Sequence, residues 1–276
     1  MVVVKQKVVK EVEEFKMKIE VLKKDKKEKV ILKIKDVSDT FMNTIRREIL
    51  ESVPTMAIEE VEFRDNDSIL YDEMLAHRLG LITFTTDLKS YMLPTEEETK
   101  TGEYSARSSL KMILKAKGPC TVYASDIQTK DSKIKPVFPN TPLVKLNKGQ
   151  KLEFEATAIL GKGKDHIKFA PGLAYYYNVS EFKQLKKLDN ADDIVKKCPE
   201  GVFKAKNGEL VPQDEINSDL WDSCLDQVPK GTIEIKDKED EFIFCVESWG
   251  QLSAQEILTQ ACEEFSQTLD EFEKLI

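Results

Sequence analysis

Histidine is almost missing from this chain: His77 and His166 are the only two in 276 residues. A Ser-His-Asp or Cys-His catalytic arrangement therefore has few ways to form. With no cysteine near it in sequence, His77 reads as a packed or exposed helical residue and not as a metal ligand. No glycine-rich cofactor loop is present. Gly161-Lys162-Gly163-Lys164-Asp165 lacks the G-x4-G-K-[ST] spacing that wraps a phosphate and reads as a turn. No apolar run approaches the roughly 18 residues of a membrane span, so no membrane partner is expected. Met1 to Lys10 lacks the long apolar stretch and cleavage site of a secretion signal, which points to an intracellular, cytoplasmic chain. Positive charge is outnumbered, 42 Lys and Arg against 50 Asp and Glu, for a net charge of −8. The field of such a chain repels phosphate, so direct DNA contact is not expected. Five cysteines, Cys120, Cys198, Cys224, Cys245 and Cys262, are odd in number and scattered. In a reducing compartment they are expected to be free thiols and not a disulfide framework.

What is present is globular. Hydrophobic residues make up 41% and charged residues 33%, enough for buried cores in two or three units. Residues 16–35 read as a hairpin: Met17 to Val21 alternates with period two, Val30 to Ile34 more loosely, and Asp25-Lys26-Lys27-Glu28 supplies the turn. Ser38 is the expected N-cap of a helix on which Phe41, Ile45, Ile49 and Val53 share one face, with Arg46 and Arg47 beside it and Pro54 closing it. An extended run from Ala57 to Phe63 leads to a second helix, capped by Ser68, with Leu70, Met74, Leu75 and Leu79 inward and Gly80 at its end. From Thr83 to Pro171 the pattern is β-rich, with strands expected at 109–114, 121–124, 143–146 and 152–159. Pro94 to Gly102 reads as a mobile loop. Residues 175–178 are again extended.

Residues 181–231 have their own character: a charged helix, a Cys-Pro step, a glycine turn and a second charged helix. Asp237-Lys238-Glu239-Asp240-Glu241 reads as a solvated loop and not a metal site. An apolar strand, Phe242 to Val246, precedes the last helix. That helix opens on the capping box Ser253-Ala254-Gln255-Glu256. Ile257, Ala261, Phe265, Leu269 and Phe272 then form one apolar face. Its cover is either its own domain or another chain, and pattern alone leaves both open.

One pattern has chemical content. Bacterial ferredoxins hold clusters with C-x2-C-x2-C-x3-C-P, the last cysteine serving the other cluster. Cys198-Pro199-Glu200-Gly201 and Val228-Pro229-Lys230-Gly231 resemble the ends of two degraded copies. Counting back from Val228 gives Cys224, Trp221 and Ser218; counting back from Cys198 gives Ile194, Ala191 and Leu188. One cluster would keep only Cys198 and Cys224 and the other none, whereas iron needs four thiolates or close substitutes. The expectation is a ferredoxin-like segment with apolar residues in place of its clusters. Cys198 and Cys224 are then remnant positions, and neither a metal nor a cofactor is expected.

Taken in order, Asn43-Thr44-Ile45-Arg46-Arg47, Val53-Pro54-Thr55-Met56-Ala57-Ile58, Asn66-Asp67-Ser68 and Leu75-Ala76-His77-Arg78-Leu79-Gly80-Leu81-Ile82 resemble the D-type polypeptides of archaeal DNA-directed RNA polymerases. That family is related to the bacterial alpha subunit and the third-largest subunit of eukaryotic polymerase II. Gly118 to Tyr123, Val144-Lys145-Leu146 with Gly149-Gln150, Gly161 to His166, and the closing strand and helix continue the likeness over nearly the whole chain after about Phe15.

The resemblance implies an α+β fold. A discontinuous dimerisation domain (1–54, 169–180 and 232–276) would carry a β-rich insert domain (55–168) and a ferredoxin-like insert lacking iron-sulfur clusters (181–231). It implies a non-catalytic platform subunit of the nucleotidyltransferase complex that carries out transcription. The chain would form a heterodimer with the small subunit L, be joined by subunits N and P, and dock the large subunits B and A. The partner faces would be Phe41, Ile45 and Ile49 on the first helix and Phe265, Leu269 and Phe272 on the last. Arg46 and Arg47 match the family's paired arginines, and a contact to a large subunit and an ion pair within the chain both stay open. Eukaryotic relatives carry a zinc-binding cysteine cluster in the insert domain; 94–105 here has no cysteine, so no zinc is expected. The competing readings are an electron-transfer or redox-sensing protein, against which the missing ligands count, and an enzyme, against which the scarcity of histidine counts.

Overall fold

The computed structural model describes residues 17–25 and 28–276. The segment read for a secretion signal, and Lys16, Lys26 and Lys27 of the expected hairpin, lie outside the described residues. Alternation at the start gives β1 (Lys18–Asp25) and β2 (Lys29–Lys35). The helix α1 (Asp39–Glu51) begins directly after Ser38 and stops short of Pro54, which opens β3 (Pro54–Asn66). Proline cannot continue a helix but is tolerated as the first residue of a strand. There follow α2 (Asp72–Gly80), α3 (Glu96–Thr101), β4 (Ser109–Lys117), β5 (Cys120–Tyr123), β6 (Gln128–Thr129), β7 (Pro142–Leu146), β8 (Lys151–Lys162) and β9 (Gly172–Gln184). The remainder is α4 (Ala191–Lys197), β10 (Phe203–Lys206), β11 (Glu209–Pro212), a 3-10 stretch (Glu215–Gln227), β12 (Ile233–Ser248) and α5 (Ala254–Leu275). The chain is thus mixed α and β. Among the described residues the strands form two four-stranded sheets, β1-β2-β12-β9 and β3-β8-β4-β6, and two pairs, β5-β7 and β10-β11.

The chain divides into two compact units. One comprises Leu22–Ile31, Thr40–Tyr176 and Phe244–Ile276. Within it β8 pairs antiparallel with β3, from Pro54↔Lys162 to Asn66↔Leu152, and with β4, from Ser109↔Ile159 to Lys117↔Lys151. Alternate β8 residues, Leu152, Phe154, Ala156, Ala158 and Leu160, enter one core with Leu75 and Leu79 of α2. The other face of β8 carries Glu153 and Glu155, which meet Lys115, Lys111 and Arg64 across the sheet. Period two alone sets this division. Gly161 near the end of β8 and Gly163 just beyond it stand where no side chain fits. A Cβ on Gly163 would stand 1.9 Å from the Leu50 carbonyl oxygen, and one on Gly161 would stand 2.6 Å from the Phe169 ring.

Two expectations in this unit are corrected. Ser68 does not cap α2: the N-cap is Tyr71, without a side-chain bond, and Met74 is exposed. The helix starts later because Asn66 and Ser68 bond to the loop around them. The stretch after Pro94 holds a helix, α3, built on one carboxylate. Glu98 accepts from the Thr95 and Ser105 amides at 2.9 and 2.8 Å and from the Ser108 hydroxyl at 2.9 Å, while Thr95 Oγ1 accepts from Glu98 N at 3.2 Å. Gly102, at φ 73°, closes the turn. The Thr95 amide first, then Ser105 and Ser108, hold the Glu98 carboxyl down to about 2 from an ordinary 4.5. A depressed carboxyl contributes stability above its unfolded pKa and loses it as pH falls toward the folded value. The cap is therefore expected to persist at pH 5 and to open between about 4.5 and 2. The amide shifts of Thr95 and Ser105 should titrate at the low end of that range. A midpoint at the ordinary carboxylate value, or the same curve in Glu98→Gln, would contradict this account.

The other unit comprises the described part of Met1–Val21 together with Leu32–Asp39 and Tyr177–Ile243. One small core cluster lies within it: Leu188, Ala191, Ile194, Val202, Phe203, Leu210, Trp221, Cys224 and Val228. Phe182, Phe203 and Trp221 pack their rings at centroid distances of 5.0 to 6.2 Å. The hairpin β10–β11, with Phe203↔Pro212 and Lys206↔Glu209 paired, was not expected from the pattern. The 3-10 stretch is held at its start by Lys33, which donates to Glu215, and by Tyr177, whose hydroxyl donates to the Ile216 carbonyl. Burial pushes the Lys33 ammonium down, but Glu215 and Glu241 outweigh it and its pKa ends above the ordinary lysine value. The charged run 237–241 is strand, not loop. Ser180 Oγ donates to Asp237, Asn178 Nδ2 donates to the Lys238 carbonyl, and Glu241 lies within ion-pair reach of Lys33, Lys35 and Lys238. Neutralised in this way, charges do not break a strand.

Candidate partner interface

The capping box at the start of α5 forms as its sequence dictates. Ser253 Oγ accepts from the Glu256 amide at 3.3 Å and Glu256 Oε2 accepts from the Ser253 amide at 2.9 Å. The first three turns are anchored: Ala254, Ile257 and Ala261 are buried, and Lys162 Nζ pairs with Glu264 at 2.6 Å. Farther along, the same apolar face emerges into solvent. Phe265 is half-buried, Leu269 is 50% exposed and Phe272 60% exposed, and Leu275 and Ile276 are more exposed still. Residues 265, 269, 272 and 276 recur at helical spacing and so lie on one side. Among the described residues nothing covers this stripe.

On α1 the arrangement differs. Ile49 is wholly buried, as is Val53, while Phe41 and Ile45 are half-buried. The expectation that Ile49 faces a second chain is corrected: it has no surface left to offer. Four-residue spacing marks a face, but the end of the helix nearest β3 is buried. Arg46 Nε and Nη2 donate to Asn43 Oδ1 at 3.1 and 2.8 Å. Arg47 grips Glu51 with both nitrogens of its fork, at 3.1 and 3.0 Å. That bond lifts the Arg47 pKa and lowers that of Glu51. At more than a third exposure this i,i+4 pair contributes little to stability.

The remnant positions come together elsewhere. Cys198, at the end of α4, and Cys224, in the 3-10 stretch, are joined by a disulfide with Cα atoms 5.4 Å apart. This corrects the expectation that all five cysteines are reduced. The pair is separated by 26 residues in sequence, and only the packing of α4 against the 3-10 stretch brings it to bonding distance. Ser218, Trp221 and Val228, which stand where further ligands would be, are buried too. Among the described residues no group of three or more His, Cys, Asp or Glu side chains is placed to hold a metal ion. His77 and His166 are exposed, and His166 Nδ1 accepts from the Lys168 amide at 3.1 Å.

Beside the start of α5 lies an open cleft of ≈ 790 Å³, lined by Lys24, Thr86, Asp87, Lys89, Gln255 and Glu256 among others. It contains no histidine or cysteine. Lys133 and the Ser90 hydroxyl hold the Asp87 carboxyl well below the usual carboxylate range. No helix among the described residues is long and apolar enough to cross a membrane. The gradient along α5 is what sequence reasoning missed, because periodicity records which side is apolar and not how far the body of the protein extends beneath it.

The insert-domain model of the polymerase subunits Rpb3 and RpoA matches residues 58–171. Three curated relatives, all named DNA-directed RNA polymerase subunit Rpo3, are similar over most of their length. The protein of Methanosphaera stadtmanae is 35% identical over 263 residues, covering 92% of this chain and 96% of the relative. That of Pyrococcus horikoshii is 36% identical over 263 residues, covering 93% and 96%. That of Methanosarcina mazei is 37% identical over 227 residues, covering 82% and 85%.

Proposed function

The chain belongs to the Rpo3 family of archaeal DNA-directed RNA polymerase subunits, an accessory subunit and not the catalytic one, and on that premise we propose that it is the platform on which the enzyme assembles. In this reading it pairs with the small subunit L, is joined by subunits N and P, and receives the large subunits B and A in the cytoplasm. The dimerisation surface would be built from 1–54, 169–180 and 232–276, with the β-rich insert at 55–168 and a ferredoxin-like, cluster-free insert at 181–231. The observation that carries the proposal is the solvent-facing stripe Phe265, Leu269 and Phe272 on α5, continued by Leu275 and Ile276. A helix whose first half is core and whose second half shows the same apolar face to water is incomplete alone. Covering it yields roughly 25 cal/mol per Å² before the costs of association. Phe41 and Ile45 of α1 would supply the other part of the contact. Arg46, bonded to Asn43 through one side of its fork, is the arginine better placed to reach a large subunit, since Arg47 is engaged with Glu51.

Native mass spectrometry of the chain alone and with the small L-type subunit from the same source tests this. A one-to-one complex is expected. A monomer that ignores the partner would remove the basis for the assembly reading.

A further inference from the structure

The loop between β3 and α2 presents apolar side chains to water from a rigid frame. Ile69 is 85% exposed, Tyr71 77% and Met74 54%. Asn66 organises the loop from within: its Nδ2 donates to the Leu70 carbonyl at 3.0 Å and to Asp72 Oδ1 at 2.7 Å, and its Oδ1 accepts from the Ser68 amide and hydroxyl at 3.1 and 2.7 Å. Ser68 Oγ accepts from the Leu70 amide at 3.3 Å. Asp67 ties the loop to the sheet, donating from its amide to the Lys151 carbonyl at 2.9 Å and accepting from the Lys151 amide at 3.2 Å. Gln150 Nε2 donates to the Asp67 carbonyl at 2.6 Å. Leu70 packs against the core, so its neighbours Ile69 and Tyr71 are turned outward. The Tyr71 carbonyl accepts from the Leu75 amide at 3.0 Å, and Met74, three residues along, lies on the same side as Tyr71.

A backbone braced in this way has little entropy left to lose on binding, which is how a docking surface is pre-organised. Lys151 borders the loop where it meets the sheet, but the charge that the segment itself carries has one sign. Asp65, Asp67, Asp72 and Glu73 are all exposed, and no Lys or Arg occurs between Arg64 and Arg78. An acidic rim turns away nucleic acid and favours a partner with basic residues around an apolar hollow.

We propose that this loop is a second docking surface, for a polymerase subunit that presents an apolar pocket ringed by arginine or lysine. The proposal rests on the reading of the chain as an assembly subunit. It adds a surface outside α1 and α5 and states the chemistry of what occupies it.

The test uses polymerase assembled from its full set of subunits, with p-benzoylphenylalanine in place of Tyr71 in one preparation and of Phe272 in another. Irradiation is followed by mass spectrometry of the crosslinked peptides. The expected result is a crosslink from position 71 to a peptide of another subunit with Lys or Arg close to the attachment point. Glu73→Lys, on the exposed side of α2, should lower its yield about tenfold at low salt, and Glu73→Gln less. A crosslink from position 272 with none from 71 overturns the proposal and leaves the assembly reading standing. Silence at both positions overturns both. A crosslink from 71 to nucleic acid, or to a peptide without basic residues, overturns the proposal as well.

Discussion

Replacing Phe272 by Asp is expected to weaken the proposed pairing with the small subunit strongly and to leave this chain folded. Phe272 is 60% exposed and lies beyond the turns of α5 that are buried, so a carboxylate there meets water in the free chain. Exposed substitutions of this kind usually stay within about 0.5 kcal/mol of stability. In the complex the same carboxylate would sit in a desolvated apolar contact, where central aromatic anchors contribute about 2–4 kcal/mol or more. Each 1.4 kcal/mol is about a factor of ten, so the loss of affinity is expected to be roughly thirtyfold to a thousandfold. Leu269→Asp should behave alike. Phe265→Asp should also destabilise the chain itself, because Phe265 is half-buried. Glu263→Ala, on an exposed part of the helix, is the control and should change nothing. Native mass spectrometry across a concentration series, with a thermal melt of each free variant, reads both quantities. Unchanged pairing by Phe272→Asp would move the interface away from α5.

Trp221→Ala is expected to unfold the small core of Leu188, Phe203, Trp221 and Val228 and to leave the β8 core intact. Trp221 is 3% exposed and packs on Phe182 and Phe203. Removing a buried aromatic of this size costs about 3–5 kcal/mol. A core of so few side chains has little stability to lose. The disulfide between Cys198 and Cys224 limits the damage by constraining the unfolded segment. The same substitution should therefore be worse in reductant, or in combination with Cys198→Ser. Hydrogen exchange resolves the two cores: amides of 188–228 should lose protection while those of Leu152 to Leu160 keep theirs. Uniform loss across the chain would show that the two cores do not unfold independently.

The sequence was most legible where one period or one cap acts alone. The β-rich pattern gave a strand at 152–159, Ser253 and Glu256 gave the start of α5, and Pro54 gave the end of α1. It was less so where a distant partner decides. The charged run 237–241 looked like a loop because its counter-charges, Lys33 and Lys35 among them, lie some two hundred residues away. The stretch after Pro94 looked mobile because the bonds that order α3 converge on one carboxylate, Glu98, from Ser105 and Ser108 further on. Met74 looked inward because the helical period does not say at which residue the helix begins. The hairpin β10–β11 was missed because four-residue strands carry too little alternation to register.

By itself the sequence determined which residues are apolar on which face, where helices may start and stop, and, through the order of its motifs, the family to which the chain belongs. These depend on neighbours within a turn or a strand, where chain connectivity fixes the geometry. Tertiary structure alone decided that Ile49 is core while Phe272 is surface, that Cys198 meets Cys224, and that Ile69 and Tyr71 face water from a braced loop. Each of these is set by how far the folded body extends around a residue, a property of packing in three dimensions that no local period encodes.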